Sequence, residues 1–404
     1  MSSPTTFAAR WLLPISQPPV EGGWIEVANG VIQRVGSGHA PGRSQDLGNV
    51  AIMPGLVNAH THLELSWMAG MVPAASAMHE WIRAMMHVRR VAAPSNDAVT
   101  SAALEAARGA ADSGTVLVGD ISNSLVTPAV LEAAHLGGVV FHELIGFSAP
   151  DPVASVTEAR ERVAEAEAAV GNAPIPIEVT LAAHAPYSVS PALFREIAGR
   201  HDPGPLTVHL AESPEEIEFL RSGHGPMRAM LEEFGVWSTA WTAPGCDPVE
   251  YLHRLGYLQP GMLAVHAVHL RDEALSRLRS ADATVVTCPR SNLWVGAGVP
   301  RIAHFYAARV PVAIGTDSLA STPSLNMFDE LAELRRLAPD VTAASFLESA
   351  TRIGAEALGF GRSYGTLAPG KQAALISVDI PSGVTDVEEY LVGGVPASAV
   401  HRLF

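Results

Sequence analysis

Apolar runs and alanine-rich stretches of helical spacing alternate along most of the chain. Eight runs read as strands, at 50–62, 116–122, 139–147, 177–186, 206–213, 262–270, 284–292 and 310–318. Between them, 97–113, 153–170, 215–234 and 272–280 repeat apolar positions with the period of a helix. Strands buried on both faces and joined through helices belong to parallel sheets. Eight such units over about 250 residues predict an α/β fold of the (β/α)8 TIM-barrel type. A doubly wound sheet is the alternative, but no Gly-rich phosphate-binding turn follows the first strand.

The two chain ends carry a different pattern. Short β-segments at 7–13, 24–27 and 31–35 flank Asn29-Gly30, a strong hairpin signal. The tail from about 364 returns to short strands, including 373–378. Both ends are expected to join in one small β-sandwich, formed by 1–53 and 364–404, beside a barrel domain at 54–363. The Pro/Gly-rich piece 237–248 reads as a loop or lid near the barrel mouth, and no repeat of solenoid length occurs.

Composition narrows the class. Of 404 residues, 48% are hydrophobic and 17% charged, which predicts a large buried core. A net charge of −15 repels phosphate backbones, so nucleic acid and anionic membrane surfaces are not expected as partners. Residues 1–17 lack a basic segment followed by an apolar one, and no run is long enough to span a bilayer. Cys246 and Cys288 are too few for a disulfide scaffold. The expected location is the cytoplasm. The segment 391–404 is a possible homodimer surface.

The chemistry starts at 54–64, where His60 and His62 follow an apolar lead-in. One residue apart on a strand, they share a face and make half of a metal site. Catalytic groups of a barrel sit where strands end. Reading those ends adds His184 (fourth), His209 with Glu212 (fifth), His266 (sixth) and Asp317 (eighth). Any one histidine could be a core residue satisfied by a backbone carbonyl. Their convergence on one rim points instead to a metal site.

The segments PGLVNAHTHLE, HAPYSVSP, VHLAESPEE, AVHAVHL, TCPRSNLWVGAGVP and AIGTDSLASTPSLNMFDEL resemble the amidohydrolase superfamily. More narrowly they are similar to its cytosine/guanine/adenosyl deaminase and chlorohydrolase branch, as is the closing GTLAPGKQAALISVD. The resemblance spans nearly the whole chain. It implies one divalent metal ion per subunit, zinc foremost with iron as the alternative, held by His60, His62, His209 and Asp317. Three imidazoles and a carboxylate leave a position for water, whose pKa the ion lowers to roughly 7. The resemblance further implies that Asp317 accepts that water's proton, His266 hydrogen-bonds it, and Glu212 protonates the ring nitrogen beside the attacked carbon. His269, nearby, is expected to be structural. Binuclear relatives use a carboxylated lysine on the fourth strand, but the chain's only lysine is Lys371, in the tail. Glu178 is the remaining candidate for a bridging carboxylate.

For the substrate, the resemblance implies a 6-aminopurine nucleoside that loses ammonia. The foremost candidate is 6-aminodeoxyfutalosine, an adenine nucleoside bearing a benzoate, on a route to menaquinone. Alternatives are the S-adenosylhomocysteine/methylthioadenosine, guanine and cytosine deaminases, a triazine chlorohydrolase, or an inactive scaffold. His184 aligns with a histidine that contacts the purine or its sugar, and Ser318, Ser321 and Asn292 are candidate polar contacts. In 67–90, Trp81 with Arg83 could hold a distal carboxylate through a bidentate pair; Arg89 and Arg90 lie close by. The competing reading of each arginine is a solvated helix face.

Overall fold

Two four-stranded parallel sheets carry the chain's polar strand ends. Leu56–Thr61, Thr115–Ser122, Gly137–Leu144 and Ile177–Ala183 form one of them. Leu206–Leu210, Met262–His266, Thr284–Thr287 and Val312–Ile314 form the other. The computed structural model describes residues 4–171, 173–201 and 204–403. The two sheets meet along two seams. A parallel bridge pairs Thr61 with Asp317, and the His209 N–H donates to the His184 carbonyl at 2.9 Å. Each run predicted as a strand therefore contains one.

The inward side chains of these strands pack together. Val57, Leu117, Phe141, Ala182, Val265, Val286 and Ala313, from seven of the eight strands, belong to one buried cluster. Helices cover the outside. Asn96–Asp112 starts where the Ser95 hydroxyl accepts the Ala98 N–H, and it buries a row of alanines from Ala103 to Ala111. Small side chains let that helix lie close to the sheet. The helix expected over 215–234 is two, Pro214–Ser222 and Pro226–Glu233. Gly223 ends the first in the left-handed region (φ 74°), and Pro226 cannot supply an N–H to continue it.

The first predicted run is also two strands. Val50–Pro54 leaves the parallel sheet and pairs with Thr5–Leu12 and Leu375–Asp379. The chain changes sheet at Gly55, where a Cβ would stand 2.2 Å from Val116 Cγ1. Both halves are buried throughout, so apolarity alone does not locate the break.

The expected union of the chain ends exists, with a correction to its form. Seven strands, Thr5–Leu12, Val20–Ala28, Val31–Ser37, Gln45–Asp46, Val50–Pro54, Leu375–Asp379 and Val400–Arg402, make one hydrogen-bonded sheet, not a two-sheet sandwich. The reason is that Leu375–Asp379 pairs edge to edge with Val50–Pro54. Asn29 and Gly30 turn the hairpin with φ of 51° and 72°. Lys371 ties this sheet to the preceding turn by donating to the carbonyls of Gly361 and Tyr364. Of the segment proposed as a dimer surface, Leu391, Val392, Val395 and Val400 are buried within the chain itself, and Phe404 lies outside the described residues. Residues 1–3 of the opening segment also lie outside them. No helix among the described residues is long and apolar enough to cross a membrane.

One strand position tests the packing. Gly138 has φ of 140°, and a Cβ there would meet the Val118 carbonyl oxygen at 1.9 Å. Overpacking and backbone strain together predict that Gly138→Ala costs about 3 kcal/mol or more. Gly42→Ala, at φ 72° in open space, should cost only about 1 kcal/mol. Urea unfolding of the two variants measures the difference.

Candidate active site

Three of the strand ends turn through strained backbone. Ala211, His266 and Asp317 have φ of 51°, 72° and 61°, a region that costs non-glycine residues roughly 1–2 kcal/mol. Hydrogen bonds hold each in place. The Glu216 carboxylate accepts the N–H groups of Ala211 (2.9 Å) and Glu212 (3.1 Å). The Ala267 N–H donates to Leu210 O, and the Asp317 N–H donates to His60 O, each at 3.0 Å. These turns direct side chains into a single cavity of about 580 Å3.

On the cavity floor the imidazoles crowd together. His60 lies 4.9 Å, ring centre to ring centre, from both His62 and His209, and 5.6 Å from His266. Burial pushes the His62 pKa down to about 3 and those of His184 and His209 to about 4. Burial and the neighbouring rings hold His60 and His266 well below the ordinary range. All five are neutral at pH 7. The His209 ring keeps its proton on Nδ1, which donates to His184 O at 2.9 Å, so Nε2 presents a lone pair. That atom is 3.3 Å from His62 Nε2. Asp317 Oδ1 lies 3.5 Å from His62 Nε2 and 3.9 Å from His60 Nε2. Its other oxygen accepts the hydroxyls of Ser291 (2.5 Å) and Ser321 (3.0 Å), which turns Oδ1 toward the histidines.

This donor set fits a divalent cation. Both ring nitrogens of His60 are buried without a partner, a costly state for a polar group. Four ligand atoms about 2.1 Å from one ion stand roughly 3.4 Å apart, close to the spacings observed. Depressed proton affinity suits ligands that must be neutral to bind. Glu143, His184 and His209 also approach one another closely. On that side, however, Glu143 faces His209 Nδ1 at 3.4 Å, and that nitrogen's proton is already spent on the His184 carbonyl.

Beside the cluster, Glu212 Oε1 is 3.5 Å from His266 Nε2. Burial, with Asp317 and Glu216 nearby, raises the Glu212 pKa well above the usual carboxylate range. The Asn292 amide donates to His266 Nδ1 at 2.9 Å, which leaves the ring proton on Nε2, facing Glu212. His184 lines the cavity with Nδ1 bound to the Ser188 hydroxyl at 2.5 Å. Ser318 and Trp81 line it as expected. His269 Nε2 donates to Ala297 O, a structural role.

Four expectations need correction. Ser321 and Asn292 are fully buried behind Asp317 and His266, so they orient those side chains and do not face a ligand. Arg83 points away from the cavity and pairs with Glu233 at 2.7 Å. Glu178 is exposed at the start of its strand, outside the cavity that holds the histidines, and so is not placed to bridge two metals there. Sequence reasoning also missed two residues. Glu143 closes the third strand, a position the strand-end rule could have flagged. Glu216 supports the Glu212 turn, but in the sequence it reads as an ordinary helix residue.

Parallel strands whose ends gather neutral imidazoles and carboxylates define a hydrolytic site of the TIM-barrel-like α/β class. The chain belongs to the Amidohydrolase family, which residues 51–401 match. It is a hydrolase acting on carbon–nitrogen bonds. It is 31% identical to the 5-methylthioadenosine/S-adenosylhomocysteine deaminase of Nitratidesulfovibrio vulgaris, over 89% of this chain and 80% of that one. It is also 31% identical to the aminodeoxyfutalosine deaminase of Deinococcus radiodurans, over 79% and 76% respectively. Its structure resembles a zinc-bound adenosine deaminase from Xanthomonas campestris with a TM-score of 0.82 and 27% identity, covering 98% of this chain and 90% of that one.

The Glu216 cradle gives a direct test. Glu216→Ala strands two buried N–H donors, each worth about 1–3 kcal/mol when left unpaired. The expected loss is about 2–4 kcal/mol in urea unfolding. Glu216→Gln, which keeps one acceptor oxygen, should lose less.

Proposed function

We propose that this chain is a metal-dependent aminohydrolase of 6-aminopurine nucleosides, with 6-aminodeoxyfutalosine as its foremost substrate and futalosine as the product. One observation carries the reading. His60, His62, His209 and Asp317 surround a common point, with the Glu212–His266 pair beside it, on the floor of a cavity large enough for a nucleoside. The relatives named as adenine-nucleoside deaminases support it. In this reading the eight parallel strands form one (β/α)8 barrel within 54–363, and 1–53 with 364–404 form the smaller β domain.

His60, His62, His209 and Asp317 would hold a divalent ion, zinc foremost. When bound, such an ion acidifies a water and fixes its position. The protein's own groups do the rest. Glu212, kept protonated by burial, gives its proton to the ring nitrogen next to the amino-bearing carbon, which makes that carbon electrophilic. The His266 Nε2–H donates to the attacking oxygen and orients it. The Asp317 carboxylate takes the water's proton and passes it to the departing amine. The carbon–oxygen bond forms, the carbon–nitrogen bond breaks, ammonia leaves, and the proton remaining on the new hydroxyl returns to Glu212. His184, steadied by Ser188, is placed to contact the purine or its sugar.

Glu212→Gln should retain the metal, since Glu212 is not among the ligands, and lose deamination by at least about a hundredfold. Asp317→Asn should lose both metal and turnover. Metal analysis and ammonia release on the same preparations separate the two roles. A screen of adenine nucleosides, guanine, cytosine and chlorotriazines tests the class. Failure to turn over any 6-aminopurine nucleoside would overturn the reading.

A further inference from the structure

The cavity has a floor and a wall of opposite character. Its carboxylates, Glu143, Glu212 and Asp317, all stand on the floor, each within 3.5 Å of an imidazole nitrogen. The wall is mainly apolar and is built from the helix Met78–Ala92, from Ile145, Phe147 and Ala149, and from residues 230–236 at and after the helix Pro226–Glu233. On the first of these, Met78, Trp81, Ile82, Met85 and Arg89 follow the i, i+3, i+4, i+7, i+11 spacing of one helix face, and all five line the cavity. Arg89 is the only lysine or arginine among the lining residues.

The three arginines of this helix differ in their partners. Arg83 pairs with Glu233, and Arg90 contacts His87 Nδ1 at 3.3 Å. The Arg89 guanidinium makes no side-chain hydrogen bond or ion pair among the described residues. Arg89 is exposed, at the rim of the apolar wall, where an unpaired guanidinium can recognise an anion that arrives on an apolar arm. The same wall offers no carboxylate to an ammonium group.

Resting on the deaminase reading above, we propose that Arg89 is the specificity-determining residue of this site. It selects adenine nucleosides whose 5′ arm is apolar and ends in a single carboxylate, over those with an uncharged arm or one that also carries an ammonium.

The test compares kcat/KM for three nucleosides that differ in the arm. Aminodeoxyfutalosine ends in a carboxylate, 5′-methylthioadenosine carries no charge there, and S-adenosylhomocysteine carries a carboxylate with an ammonium. Wild-type protein should prefer the first. Arg89→Met should lower the ratio of kcat/KM for aminodeoxyfutalosine over 5′-methylthioadenosine by about 30-fold or more, through KM, as loss of a charge-assisted pair does. Arg89→Lys should restore part of that ratio, and Arg90→Met should leave it at the wild-type value. An unchanged ratio in Arg89→Met, or a wild-type preference for S-adenosylhomocysteine, overturns the assignment of Arg89 while the deaminase reading stands. Absence of ammonia release from all three nucleosides overturns the deaminase reading, and this assignment with it.

Discussion

Imidazoles packed this closely cannot all be cations. His60, His62, His184, His209 and His266 share one floor, and burial together with mutual repulsion keeps them neutral. The site's chemistry follows from that exclusion of protons. Neutral rings carry lone pairs, and each ring's remaining N–H must be directed elsewhere. The His184 carbonyl takes the proton side of His209, and the Asn292 amide decides which nitrogen of His266 is protonated. Such an arrangement is intrinsically unfavourable, since unpaired nitrogens and left-handed turns cost free energy. It persists because the strands beneath it are buried throughout and hydrogen-bonded to their neighbours.

The frame was legible because its signal is repeated. Eight apolar runs separated by helical periods leave few alternatives, and each run holds a strand. What stayed hidden were the breaks inside continuous patterns. The stretch 50–57 is apolar from end to end, so only Pro54-Gly55 marks where the chain passes from one sheet to the other, and a glycine reveals crowding only once Val116 is beside it. Strands at the chain ends announced a shared β unit, but periodicity does not say whether two strands face each other or pair at their edges.

The site shows the same division. A histidine or aspartate at the end of a buried strand stands out against apolar neighbours, and His60, His62, His209 and Asp317 come together with His266 beside them. Glu143 occupies an equivalent position, yet Leu144, Ile145 and Phe147 carry the apolar run past it, and the strand end goes unnoticed. The expectation that Arg83 lines the cavity failed for want of a phase. The helix begins at Met78 after Ala77, which offers no side-chain cap, so no local signal sets which face turns inward. Once the start is known, the spacing from Met78 through Trp81 and Met85 leads to Arg89.

Floor and wall are also held by forces of different strength. Asp317, His266 and His184 are each oriented by buried hydroxyl or amide partners from neighbouring segments, so displacing one leaves several polar groups unpaired. The two wall helices meet through the Arg83–Glu233 ion pair, with side chains 32% and 54% exposed, and pairs so exposed contribute about 0–1 kcal/mol. Changing a wall residue therefore disturbs little beyond the contact it makes. Changing a floor residue propagates through buried hydrogen bonds into the strand ends. A molecule built this way can alter what its wall accepts at small cost to stability, while its means of breaking a carbon–nitrogen bond stays locked to the fold.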